Sequence, residues 1–331
     1  MKKLPSILAA ISLLICACGD GGGAPSVVEG FEVGEVARTP DERFAGLVDY
    51  PFAAHYRQAG PVRIHYIDEG PRDADPVVLM HGEPSWSYLY RHMIPIIVDA
   101  GYRVIAPDLV GFGKSDKPVD SEQYTYQRHV DWMRFLLEEE LDLHNVTMFL
   151  QDWGGLIGLR LVAEDPDRYA RVVVANTFLP TGDIPPSAAF KAFRDFVANS
   201  PVLPIGAILQ GASARTLSGA EVAAYDAPFP SERFLGGARK FPELVPTDPS
   251  DPAVPANLAA WKVLEKFTKP FLTTFSDGDP ITGGGDIVFQ ARVPGTEGQP
   301  HRTVSGGHFL QEDASVELAE AIVDFIETTR D

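Results

Sequence analysis

The sequence predicts an α/β fold, a mostly parallel sheet with helices on both faces and one helical insertion. Two observations predict it. Short apolar runs bounded by turn residues alternate with helical hydrophobic patterns through most of the chain, as doubly buried strands and their crossover helices should. That rhythm breaks once, between Phe178 and about Pro255, where Pro, Ala and Phe are frequent. The 331 residues are 45% hydrophobic and 22% charged, which suits a globular protein with a real core.

Taken in order, the chain starts with Lys2 and Lys3 before an apolar run from Ile7 to Cys16. The run is too short for a comfortable membrane span and is arranged like an export signal. It ends in Leu14-Ile15-Cys16-Ala17-Cys18, which resembles the bacterial lipobox. By that resemblance residues 1–17 are a lipoprotein signal peptide, and Cys18 becomes an acylated N-terminus on a bacterial envelope membrane, on its periplasmic side or at the cell surface. Cys16 and Cys18 are the only cysteines, so no disulfide and no cysteine-based metal site is expected. Residues 18–48 contain Gly, Glu and Pro with little periodicity and read as a flexible tether.

The first part of the core is expected over residues 49–177. Val62 to Ile67 alternates like a half-exposed hairpin strand. Pro76 to Met80, Arg103 to Ala106, Val146 to Leu150 and Val172 to Ala175 are the short runs of a parallel sheet. Residues 178–255 form the insertion, with helical patches at Ala188 to Val197 and Gly219 to Tyr225. Leaving the sheet where parallel strands end, it is placed to cover a site as a cap. Phe190, Phe193 and Val197 share one helical face there, serving either core packing or a pocket wall. The second part of the core, 256–331, adds the strand Phe271 to Phe275. Its last helix aligns Val316, Leu318, Ala319, Ile322, Val323 and Ile326.

Charge narrows the partners. Lys and Arg total 28 against 46 Asp and Glu, a net charge of −18, which repels phosphate backbones and argues against nucleic acid and strongly anionic substrates. The sequence carries no metal-type His cluster and no internal repeat.

The sharpest signal is Leu150-Gln151-Asp152-Trp153-Gly154-Gly155, between an apolar run and the helical pattern Leu156 to Ala163. Strand, sharp turn and helix are the context of a nucleophile elbow, with Asp152 where serine hydrolases place Ser. A carboxylate attacks without needing a base, and its attack on an sp3 carbon leaves an ester that water can later cleave. An Asp there can also be no more than a helix N-cap. Met80-His81-Gly82-Glu83-Pro84 ends another strand, where the backbone N–H groups of Glu83 and Trp153 are expected to converge on one oxygen as an oxyanion hole. Asp279, in Ser276-Asp277-Gly278-Asp279, and His308, in Gly306-Gly307-His308-Phe309, follow two further runs. Nucleophile, acid and histidine in this order match the α/β-hydrolase fold, with Asp279 orienting His308 and stabilising its cation.

The stretches His81 to Arg91, Pro107 to Pro118, Gln151 to Gly155, Ala224 to Pro230 and Gly307 to Glu312 resemble the haloalkane dehalogenases, and Glu83 resembles their first subfamily. The similarity runs from about His55 to Ile326. It implies Asp152 as nucleophile, His308 as base, Asp279 as acid partner and Trp153 as a halide-binding residue, with no metal or organic cofactor. It further implies a small apolar halogenated substrate and water. An indole N–H suits a departing halide because it donates without adding charge. Trp86, Trp132 and Trp261 read as core.

One departure stands out. The resemblance implies a second halide-binding Trp from the cap, yet 178–255 contains none. Phe190 or Phe193 stands about where it belongs, and Gln210 is a candidate replacement donor. Other uses of an Asp nucleophile stay open. Epoxide hydrolases resemble the chain but need two cap tyrosines, and the cap segment has only Tyr225. Fluoroacetate dehalogenases place Arg where Trp153 stands, a serine esterase lacks its nucleophile here, and a non-catalytic binding lipoprotein would not need the triad.

Overall fold

The apolar runs pair into one eight-stranded sheet. The structure, a computed structural model, describes residues 31–330, so the export signal and Cys18 lie outside the described residues. The chain forms β1 (Val36–Ala37), β2 (His55–Ala59), β3 (Val62–Glu69), β4 (Pro76–Met80), α1 (Met93–Asp99), β5 (Arg103–Pro107), β6 (Lys117–Pro118), α2 (Tyr126–Arg134), β7 (Val146–Gln151), α3 (Trp153–Glu164) and β8 (Tyr169–Ala175). The insertion carries α4 (Ala188–Asn199), α5 (Ile205–Gly211), α6 (Gly219–Asp226) and α7 (Gly236–Leu244). Then α8 (Val254–Leu264), β9 (Phe271–Ser276), α9 (Gly285–Arg292), β10 (Arg302–Val304) and α10 (Leu310–Thr328) follow.

The strand order is β10-β9-β8-β7-β4-β5-β3-β2. All neighbours are parallel except the β2–β3 hairpin and the antiparallel β3–β5 pair. From β4 the chain winds outward to β5, while from β7 it winds the other way to β8 and β9. The carboxyl ends of β4 and β7 therefore open side by side, with Met80 level with Leu150, and such a reversal point is where open α/β sheets build their sites. Every residue of β4 and β7 is buried, which is why these runs are continuously apolar instead of alternating.

Three expectations change. Residues 31–48, read as tether, are packed on the globule. Phe31 is buried with its ring 5.5 Å from Phe135, β1 pairs antiparallel with β6, and Arg38 grips Asp116 through two bonds of 2.8 and 2.7 Å. A few well-placed contacts fix a segment whose average composition looks like a linker. Second, β3 is buried over most of its length instead of half-exposed, because Val62, Ile64 and Tyr66 on one face and His65 and Ile67 on the other are all covered by packed elements. Third, Val316 is 53% exposed. At 3.6 residues per turn it points about 120° away from Ile322 at the centre of the buried stripe.

Candidate active site

Asp152 sits between the end of β7 and the first turn of α3 with φ 49° and ψ −125°, a left-handed conformation that a non-glycine residue holds only when its surroundings impose it. Here they do. The Asp152 N–H donates to Asn176 O at 3.1 Å, and the Thr177 hydroxyl donates to Asp152 O at 2.7 Å. Close approach also requires glycines. A Cβ on Gly154 would lie 2.1 Å from Met80 O, and one on Gly82 would lie 2.1 Å from Asp152 Oδ1.

Three strand ends bring the chemistry together. From the β4 loop, the Glu83 N–H donates to Asp152 Oδ1 at 2.8 Å. His308 follows β10, with Nε2 3.4 Å from Asp152 Oδ2 and Nδ1 3.0 Å from Asp279 Oδ2. Asp279 follows β9 and accepts the N–H groups of Ile281 and Thr282 at 2.9 and 3.2 Å, together with the Thr282 hydroxyl. Burial alone would lower the His308 pKa, but Asp279 and Asp152 outweigh it and hold the imidazole up to about 10. Burial likewise opposes ionisation of Asp279, yet His308 and the Thr282 hydroxyl keep its carboxyl down at about 2. The imidazole is thus a cation between two carboxylates.

Glu83, Asp152 and His308 form the floor of an apolar-walled cavity of about 60 Å³, with Asp279 behind the imidazole. The Trp153 indole lies against Tyr126 and Phe241, at ring distances of 5.1 and 4.6 Å. It lines the cavity. Phe190 and Phe193 both face this space from α4, so the stripe read from the sequence is pocket wall as well as packing. A second cavity of about 260 Å³ shares Phe178, Phe190, Val245 and Ile281 with the first. Trp86 and Trp132 are buried away from both cavities, whereas the buried Trp261 lines the second.

Gln210 does not take the role expected of it. Its amide accepts the Leu217 N–H at 2.6 Å and donates to Arg215 O at 3.0 Å, which commits it to the cap's own fold. Among the described residues no group of three or more His, Cys, Asp or Glu could hold a metal ion.

The structure adds residues that sequence reasoning passed over. Asn176 donates to Gly307 O and His308 O at 3.0 and 3.1 Å and accepts the Ser276 N–H at 2.9 Å, tying three strand ends together. The polar Asn176-Thr177 pair directly after an apolar run was the available signal. The Asp313 carboxylate accepts the Gly307 N–H at 2.8 Å and, from the cap, the N–H groups of Ala214 and Arg215 at 2.9 and 2.8 Å. Only the fold brings those partners together.

Comparison with known proteins follows the same lines. A family model described as the alpha/beta hydrolase fold matches residues 75–315. A haloalkane dehalogenase of Psychrobacter cryohalolentis is 56% identical over 298 residues, 88% of this chain and 98% of its own. One of Mycolicibacterium paratuberculosis is 54% identical over 295 residues, with coverages of 88% and 98%. Among solved structures, the tetrameric haloalkane dehalogenase DpaA of Paraglaciecola agarilytica matches with a TM-score of 0.81 at 35% identity, covering 86% of this chain and 97% of that one.

Proposed function

Because this chain belongs to the haloalkane dehalogenases and hydrolyses carbon–halide bonds, we propose that Asp152, Trp153, His308 and Asp279 divide that reaction into two halves. In the first, an Asp152 oxygen attacks the halogen-bearing carbon in line. The carbon–halogen bond breaks, the carboxylate becomes an alkyl ester, and the Trp153 N–H takes the departing halide. In the second, His308 removes a proton from water as its oxygen attacks the ester carbonyl carbon. Backbone N–H groups of Glu83 and Trp153 hold the developing oxyanion, and collapse frees the alcohol. Halide, alcohol and a proton are the products.

One observation carries the assignment: a single imidazole bridges two carboxylates on the floor of an apolar cavity. It also accounts for the order of events. While Asp152 is ionised, it and Asp279 together hold the proton on His308. Alkylation turns Asp152 into a neutral ester and removes one of those charges, so the imidazole gives up its proton when water must be activated. Residues 178–255 act as the cap that keeps bulk water from the attacking carboxylate, which an unsolvated nucleophile needs. The cavity's size and apolar wall favour small apolar haloalkanes. Epoxide hydrolysis is disfavoured because the buried Tyr225 hydroxyl is engaged with Glu312 and does not line the cavity. The test is halide release from a panel of chloro-, bromo- and iodoalkanes with an epoxide as control. Release of halide is expected; turnover of the epoxide alone would overturn the reading.

We also infer that the protein is exported and held by lipid at Cys18 on a bacterial envelope membrane. Lys2, Lys3, the apolar run and Ala17-Cys18 support this. Replacing Cys18→Ser should release the globule or leave the signal uncleaved, and full-length unmodified protein in the cytosol would refute the inference.

A further inference from the structure

A halide leaving inside a dry pocket must be met by hydrogen-bond donors, and this cavity has few. Four of its lining side chains carry polar atoms: Glu83, Asp152, Trp153 and His308. Asp152 is the attacking carboxylate, and both His308 nitrogens face carboxylates. The cap contributes only apolar side chains to the wall, among them Phe190 and Phe193, and Gln210 is bound within the cap. Trp153 is one donor. The side chain left over is Glu83.

That carboxyl is in an unusual position. Glu83 is 5% exposed, and its Oε1 is buried without a hydrogen-bond partner among the described residues. An ionised carboxylate so placed, with no donor on that oxygen and the Asp152 charge nearby, is strongly disfavoured. Burial and Asp152 accordingly push the Glu83 pKa well above its ordinary value, against a smaller downward pull from His308, which favours the protonated acid. A protonated carboxyl carries one O–H donor. A carbon-bound halogen is a poor acceptor and a free halide a good one, so such a donor acts mainly as the bond breaks.

We propose that the protonated side chain of Glu83 is the second halide donor of this enzyme, taking over in the cavity floor what the tryptophan-free cap does not supply. Glu83 would then serve twice: its backbone N–H holds Asp152 Oδ1, and its carboxyl O–H takes the leaving ion with the Trp153 N–H. No proton is transferred in the step. The proposal rests on the assignment of Asp152 and Trp153 above.

The experiment is a bromide titration of the folded enzyme, followed by quenching of tryptophan fluorescence, with bromide release from 1-bromobutane measured alongside. Glu83→Gln keeps an N–H donor, and Glu83→Leu removes every side-chain donor. Bromide binding should weaken roughly 10- to 100-fold in Glu83→Leu, the equivalent of one hydrogen bond to an ion, and stay within about threefold in Glu83→Gln. Unchanged binding in Glu83→Leu, or equal loss in both variants, overturns the proposal. If Glu83→Leu does not fold, pH decides. Asp152 and His308 face Glu83 in both remaining proteins, so alkaline loss of bromide binding in wild type but not in Glu83→Gln supports the proposal, and the same loss in both defeats it. A wild type that releases no bromide would instead sink the parent assignment.

Discussion

Nε2 of His308 lies 3.4 Å from Oδ2 of Asp152, on the side of the ring opposite the 3.0 Å contact between Nδ1 and Asp279. In the proposed two-step reaction this geometry sets His308 beside the nucleophile first and makes it the base for water afterwards. Replacing His308→Phe should therefore leave alkylation running and stop ester hydrolysis. Mass spectrometry after exposure to a bromoalkane should find one alkyl group on Asp152, with one halide released per enzyme. An adduct elsewhere, or none while wild type turns over, would remove Asp152 from its role.

The same geometry sets two responses to pH. Hydrolysis of the ester needs neutral His308, whereas attack by Asp152 does not. Lowering the pH should slow the second half selectively, and rapid-quench measurements should find more alkyl-enzyme in acid than in mild alkali. Stability has its own sign. The folded pKa of His308 is raised from 6.5 to about 10, so its contribution is complete below about 6.5 and is lost as pH rises towards 10. Wild type should lose more melting temperature than His308→Phe between pH 7 and 10. Parallel losses would show that the ion pairs add little to the fold.

Much of this was legible in the sequence, for physical reasons. Strands β4 and β7 were readable because burial on both faces leaves a run that is mostly apolar and does not alternate. Asp152 was readable because it directly follows such a run, and Asp279 and His308 because each lies in the turn a few residues beyond a strand, where a parallel sheet delivers side chains to one edge. The packing of residues 31–48 was not, since it depends on single contacts such as Arg38 with Asp116 and not on periodicity. The state of Glu83 was hidden too. Its motif marks the loop, but only burial beside Asp152 pushes its pKa upward. Gln210 shows the reverse failure, a plausible donor whose hydrogen bonds are spent within its own helix pair.

Asp313 tests whether the cap positions the base. Its carboxylate joins Gly307, the residue before His308, to Ala214 and Arg215 of the cap. Asp313→Ala frees three backbone donors and lets the His308 loop shift. A misplacement of about 1 Å can cost about 100-fold, and it should fall on the step that uses His308. Steady-state turnover should drop roughly 10- to 100-fold while the initial halide burst stays within about threefold, so alkyl-enzyme accumulates. If burst and turnover fall together with no adduct, Asp313 is only a structural contact.

Phe190 and Phe193 both line the cavity above Trp153, and neither brings an N–H. Chloride is the poorest leaving group of the three common halides, so even with Trp153 and Glu83 both donating from the floor, wild type should prefer bromo- and iodoalkanes over chloroalkanes. An added indole N–H reaching the halide contributes roughly 1.5–3 kcal/mol if it acts on the transition state, at least tenfold in the first step. Phe190→Trp and Phe193→Trp, made separately, should therefore include one variant with a raised chloride-to-bromide rate ratio. The larger ring must fit a cavity of only about 60 Å³. The variant that gains on chloride should consequently lose on chain length, with 1-bromohexane falling more than bromoethane. A wild type that already handles chloroalkanes as fast as bromoalkanes would defeat the argument, because it would mean that Trp153 and Glu83 leave no deficit for a cap donor to correct.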